Sequence, residues 1–166
     1  MTREMDLSTI IVTYNAEKYI MDCLRSVHRT SVGLSHEIFV IDNHSLDRTR
    51  TLIRESKNPP VLIENQSNIG FAKAVNRGMK QSSGDFILLI NPDAVITSES
   101  LSPMIDFMRK NPMVGICGCR LLNEDGSLQY SKGSFPSVLS MILRSFLPRP
   151  MRKYQLSSYK KIDKCD

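Results

Sequence analysis

The sequence has no tryptophan, no Cys-x-x-Cys pair and no apolar run of membrane length. A spanning helix needs roughly 20 consecutive apolar residues, so none is expected. Met1 to Asp6 is polar and leads straight into a strand-like run, which predicts no signal peptide. Cys117-Gly118-Cys119 falls in an apolar run, and Cys23 and Cys165 stand apart. Reduced, structural thiols in a cytoplasmic protein are expected from that usage. His28, His36 and His44 lack metal-ligand spacing and have no carboxylate dyad around them. Ser8, Ser26 and Ser45 have no nucleophile-elbow context, which argues against a hydrolase of the α/β type. Neither G-x-x-x-x-G-K-[ST] nor a G-x-G-x-x-G after the first strand occurs, so a P-loop and a dinucleotide fold are both excluded.

What is present is ordinary in amount and uneven in placement. The 166 residues are 41% hydrophobic and 23% charged, the values of one globular domain or part of a larger one. The net charge of +5 belongs to the end of the chain. From Arg144 to Asp166 there are seven basic and two acidic residues, and the first 143 residues balance. The main body therefore offers no basic face, and nucleic acid is not an expected partner.

Strand-like and helix-like segments alternate. Leu7 to Tyr14 reads as a first strand, with Asn15 as cap for a helix to about Arg29. Glu37–Asp42 reads as a second strand, followed by a turn and a helix from about Leu46 to Ser56 capped by Ser45. Val61–Glu64 is a third, short strand. A polar loop, 65–71, leads to a helix over about Gly70–Gln81. Its polar face holds Lys73, Asn76, Arg77 and Lys80, and Ala72, Val75 and Met79 lie on another. Phe86–Ile90 is an unbroken apolar run between Gly84-Asp85 and Asn91-Pro92, the pattern of a strand buried on both faces. Ser98–Asn111 reads as a helix, Met113–Cys119 as a last strand, and Asn123–Gly126 as a hairpin-type turn. The alternation implies a three-layer α/β fold, a mainly parallel sheet with flanking helices.

Parallel strands place Thr13-Tyr14-Asn15, Asp42-Asn43 and Asn91-Pro92-Asp93 on one rim, where open α/β sheets bind ligands. Asp93 can hold a divalent cation on a diphosphate, or it can simply cap a turn. Asp42 can accept a hydrogen bond from the N3–H of uracil or thymine, or it can form an Asx turn. Gly70 stands at a helix entrance, where backbone N–H groups favour an anion, and Lys73 adds a charge nearby or is a solvated helix face.

On these residues the chain resembles the inverting family 2 glycosyltransferases of GT-A fold. The matching motifs are Ile11–Asn15, Val40–Asp47, Asn65–Gly78 and Leu88–Asp93. Leu121–Gln129 with Phe135-Pro136 is similar to the rhamnosyltransferase-like subgroup, which typically uses dTDP-rhamnose for cell-surface polysaccharides. The resemblance implies a hexosyltransferase acting on a dTDP- or UDP-sugar and a glycan or lipid-linked acceptor. It implies that Thr13, Tyr14 and Asn15 line the base and ribose pocket, and that Asp42, with the turn at Asn43, binds the pyrimidine. It places Asn68, Gly70 and Lys73 along the diphosphate, with Asn76 in support. Asp93 would be the surviving carboxylate of the family's Asp-x-Asp motif, holding Mg2+ or Mn2+, with Asn91 in place of the first Asp.

One departure bears on turnover. The family's Gly-Ala segment and downstream carboxylate base do not occur before Asp166, so the base is expected beyond it. The chain then reads as a donor-binding half: a truncated product, half of a split enzyme, or a binding remnant. Residues 1–135 are expected to form the nucleotide-sugar-binding domain. Residues 136–166 form a basic, partly apolar segment that starts an acceptor half. Within it, Val138 to Leu147 is apolar and Arg144 to Lys153 is basic. That combination suits either an anionic membrane surface at the cytoplasmic inner face or packing against further chain.

Overall fold

The computed structural model describes residues 5–97 and 101–129. Among the described residues, four strands and four helices alternate in the order β1 (Leu7–Thr13), α1 (Ile20–Thr30), β2 (His36–Asp42), α2 (Thr49–Arg54), β3 (Val61–Glu64), α3 (Phe71–Met79), β4 (Phe86–Ile90) and α4 (Leu101–Lys110). The sheet is parallel throughout, in the order β3-β2-β1-β4. The register sets Thr13 beside Asp42 and Asp42 beside Glu64, so these strands end level with one another.

The pleat sends alternate residues to opposite layers. Ile11, Ile38 and Val40 pack with Ile20, Cys23, Leu24 and Val27 of α1 and Ile53 of α2. Ile10, Phe39, Ile41 and Ile63 pack on the other side against Ala74 of α3. Leu7 joins Leu101 and Ile105 of α4, with Phe86 and Leu88 against them. Each such aliphatic side chain contributes about 1.5–3 kcal/mol when fully buried.

Two glycines allow close approach. A Cβ on Gly78 would lie 2.8 Å from Ile41 Cδ1 and 3.0 Å from Ile10 Cγ2, so the backbone of α3 sits directly on those two side chains of β2 and β1. A Cβ on Gly84 would lie 2.5 Å from the Ser8 backbone nitrogen, which makes that position glycine-only at the entrance to β4. The buried stripe of α3 is therefore Ala74, Val75 and Gly78. The expected apolar face of Ala72, Val75 and Met79 is corrected at two of its three positions, because glycine carries no hydrophobic signal where backbone contact is closest.

Two strand expectations are also corrected. β4 is half-buried, with Ile87 37% and Leu89 50% exposed, because α3 covers β1 and β2 and leaves that face of β4 open among the described residues. Met113–Cys119 forms no strand, and Met113 and Ile116 are exposed. A strand exists only against a ladder neighbour, and this segment has none among the described residues. The helix starts shift as well. α1 begins at Ile20 rather than next to Asn15, and α2 at Thr49 rather than next to Ser45.

The chain divides into two compact units, Met1–Cys117 and Gly118–Asp166. In the second, the expected turn is present. Asn123 N–H donates to Ser127 O at 2.8 Å, Gly126 has φ +78°, and Leu122 bridges Leu128 antiparallel. The apolar and basic segment over 138–153 lies outside the described residues. Among the described residues no helix is long and apolar enough to cross a membrane.

Candidate functional site

The carboxyl ends of β1 and β2 are joined through one carboxylate. Asp42 is 0% exposed. Its Oδ1 accepts from Thr13 Oγ1 at 3.0 Å and from Ser45 Oγ, and its Oδ2 accepts from the Ser45 N–H at 2.9 Å. Arg50 Nε stands 3.8 Å from Oδ2. A buried charge with three donors and a nearby guanidinium is satisfied from within. All the donors to Asp42 in this conformation are interior ones. The bond from Ser45 N–H orders the turn after β2 but caps no helix, since α2 begins at Thr49 with Arg48 as its N-cap and no side-chain cap bond.

From Ser45 the network continues into the loop after β1. Asn15 N–H donates to Ser45 Oγ at 2.9 Å, and Leu46 N–H returns to Asn15 Oδ1 at 2.8 Å. Ala16 N–H reaches Thr49 Oγ1 at 2.8 Å, Glu17 N–H reaches Asp47 Oδ2 at 3.0 Å, and Arg48 N–H reaches Glu17 Oε2 at 3.0 Å. The β1–α1 and β2–α2 loops are thus clasped along five consecutive bonds. Burial pushes the Asp47 carboxyl up, but hydrogen bonds from Thr49 and the Glu17 amide outweigh it and hold the group below the usual range. Asn15 and His44 sit at φ +53° and +69°, the two positive-φ residues other than glycine among the described residues. Such backbone costs energy and persists where its surroundings fix it, which the clasp does here.

On the α3 side of the same ends lies a second network. Asn43 N–H donates to Thr13 O at 2.8 Å, and Asn65 N–H donates to Asp42 O at 2.9 Å. Asn65 Nδ2 donates to Asn43 Oδ1 at 2.8 Å, and Arg77 Nη1 donates to Asn65 Oδ1. Asn65 and Arg77 in this arrangement, and Thr49 in the clasp, were not legible as site residues. The one available signal is that Asn65 follows β3 as Asn43 follows β2.

β4 ends lower, with Ile90 beside Ile11, and the chain then turns. Ala94 N–H donates to Asn91 O at 3.1 Å, closing a turn with Pro92 at its second position and Asp93 exposed at its third. The Cys23 thiol of α1 contacts Asn91 O at 3.5 Å. Burial, and secondarily the Asp93 charge, push that thiol up to about 12. No group of three or more His, Cys, Asp or Glu that could hold a metal occurs among the described residues. One exposed carboxylate is nevertheless a fitting anchor for Mg2+ or Mn2+, which are commonly bound by one or two carboxylates together with substrate phosphates and water.

The remaining expected residues are surface groups on or near this end of the sheet. Tyr14, Asn68, Gly70, Lys73, Asn76 and Asn91 are all exposed. Gly70, at φ +82°, immediately precedes α3, and its N–H is held by Asn68 Oδ1 at 3.0 Å. The side chains of Lys73 and Asn76 form no hydrogen bond or ion pair among the described residues, so solvent or ligand is available to them.

Residues 8–164 match the family described as Glycosyl transferase family 2. The chain belongs to that family. It is 31% identical to dolichol-phosphate mannosyltransferase of Pyrococcus furiosus over 68% of this chain and 32% of that protein. It is 31% identical to poly-beta-1,6-N-acetyl-D-glucosamine synthase of Staphylococcus epidermidis over 84% of this chain and 35% of that protein. Among solved structures, Staphylococcus aureus TarS residues 1–349 in complex with UDP-GlcNAc superposes with a TM-score of 0.59 at 30% identity, over 65% of this chain and 32% of that one. The fold is therefore that of the GT-A glycosyltransferases. The chain spans about a third of the length of these relatives.

The raised Cys23 pKa sets a direct check. At pH 8 a thiol with a pKa of about 12 is almost wholly protonated and is a poor nucleophile. Native Cys23 should resist a thiol reagent that modifies exposed Cys119, and should react once the chain is denatured; peptide mapping reads both. Equal native rates at the two cysteines would contradict the burial described.

Proposed function

We infer that this chain binds a nucleotide-diphosphate sugar at the carboxyl ends of β1, β2 and β4. On this reading it serves as the donor half of a glycosyltransferase in cell-surface polysaccharide synthesis. The observation that carries this reading is the placement of Thr13–Asn15, Asn43 and the Asp93 turn at strand ends in a chain of this family. Thr13, Tyr14 and Asn15 would line the base and ribose, with Asn43 beside them. Asp42 would act on the pocket mainly from inside, by holding Thr13 and Ser45. Asn68, Gly70 and Lys73 would run along the diphosphate, with Asn76 and Asn91 at its margins. Asp93 would hold Mg2+ or Mn2+, which when bound neutralises the charge on the leaving diphosphate.

The relatives named above transfer mannosyl and N-acetylglucosaminyl groups by their names, and rhamnose has no counterpart among them. The donor proposed is accordingly a nucleotide-diphosphate hexose, and the acceptor a glycan or lipid-linked sugar. Inverting transfer needs a base to deprotonate the acceptor hydroxyl, and none of the residues assigned here has that role. Donor binding is therefore the direct readout for this chain, whether or not it turns over alone.

Asp93→Ala should abolish the Mn2+-dependent part of UDP-sugar or dTDP-sugar binding in calorimetry and leave the circular dichroism unchanged, because Asp93 is exposed and its turn is closed by backbone. Unchanged affinity with Mn2+ present would remove Asp93 from the metal site. A separate check addresses the 138–153 segment. If it meets an inner membrane face, the chain should co-sediment with anionic vesicles and release as salt rises. Equal sedimentation with neutral vesicles, or none, would assign that segment to packing instead.

A further inference from the structure

Asn43 and Asn65 are two amides nearly sealed at the ends of β2 and β3, 3% and 5% exposed. A side-chain amide presents an acceptor on one arm and donors on the other, so its partners decide which way round it sits. Here one partner decides the whole series. Arg77 Nη1 donates to Asn65 Oδ1 and, at 3.3 Å, to the Glu64 carbonyl. A guanidinium has donors only, so Asn65 must turn its oxygen toward α3. Its Nδ2 then donates to Asn43 Oδ1 at 2.8 Å. Asn43 is left with its Nδ2 donors. That nitrogen has no hydrogen bond among the described residues. It is also not one of the sealed, unpartnered side-chain atoms there, which are Thr9 Oγ1, His28 Nε2 and Arg109 Nε. It therefore keeps some accessible surface, slight in a residue only 3% exposed. The backbone bonds of Asn43 to Thr13 and of Asn65 to Asp42 fix both amides to the strands.

We propose that Arg77 and Asn65 are positioning residues that lock Asn43 as a hydrogen-bond donor, so that the site selects a nucleotide whose base carries a carbonyl at C4 of a pyrimidine or C6 of a purine over one carrying an amine there. This rests on the nucleotide-sugar reading above and deepens it. A donor recessed this far meets first whatever projects from the ring. At C4 of uracil and thymine and at C6 of guanine the exocyclic group is a carbonyl oxygen, which accepts. On cytosine and adenine it is an amine, which sets N–H against N–H and leaves a buried donor unpaired.

Calorimetry of the full chain with UDP and with CDP, both with Mn2+, tests the relay. The wild type should favour UDP by about tenfold, the scale of one buried hydrogen bond made against one left unmade. Asn65→Asp keeps the Arg77 contact but has no donor for Asn43. The Asn43 amide should then turn its nitrogen inward and present oxygen, bringing the preference to parity or reversing it toward CDP. Arg77→Met should also erode the ratio, while Arg77→Lys, still a donor only, should keep it. A merely structural role would lower stability and both affinities together without moving the ratio. If Asn65→Asp fails to fold, Arg77→Met against Arg77→Lys decides on the same ratio. A wild type that binds UDP and CDP equally, or variants that fold and keep its preference, would overturn the relay alone. A wild type that binds no nucleoside diphosphate would overturn the nucleotide reading and the relay with it.

Discussion

The rim of this domain depends on one buried charge. A carboxylate with no exposed surface is tolerated only where donors replace its water, and Asp42 has Thr13, Ser45 and the nearby Arg50. Each of those partners belongs to a different piece of the site. Thr13 ends β1, Ser45 lies in the loop after β2, and Arg50 is on α2, where it also pairs with Glu64 at the end of β3. Satisfying the charge therefore fixes three strand ends and the loop between β2 and α2. The clasp through Asn15 and Asp47 extends that order into the loop after β1. Removing the Asp42 carboxylate leaves buried donors without an acceptor, at about 1–3 kcal/mol for each one.

Around this fixed centre the two layers do different things. The α1 and α2 side uses carboxylate and hydroxyl groups. The α3 side uses neutral amides, with a guanidinium donating to one of them. The close seat of α3, set by Gly78 against Ile10 and Ile41, is what brings Arg77 within reach of Asn65. Asp93 is held differently, by a backbone-closed turn after β4, which leaves its carboxylate exposed and available to a cation.

Much of the fold was legible because its signals are local. β3 appears at Val61–Glu64 as the apolar run and its flanking prolines indicate, and the parallel order follows from the alternation of elements. What failed depends on neighbours. Phe86–Ile90 has the composition of a fully covered strand, yet coverage is set by where α3 lies, and α3 lies over β1 and β2. Met113–Cys119 has strand composition without a partner among the described residues. Asn15 and Ser45 look like helix caps because each is a capping residue type after a strand. Their side chains instead bond across to each other's loops, a choice made by tertiary geometry that no spacing encodes. Asp42 was legible as important but not in its orientation, since an acid at a strand end reads the same whether it faces ligand or core.

The orientation of Asp42 is also where the account can be tested most directly. Asp42→Asn keeps the shape and replaces one acceptor with a donor aimed at other donors. If Asp42 works from inside, amide hydrogen exchange of the ligand-free variant should lose protection across residues 13–17 and 43–49 while β1, β2 and β3 stay protected. If instead both loops keep wild-type protection without nucleotide, and only nucleotide affinity falls, Asp42 acts by touching the base and the interior clamp is wrong.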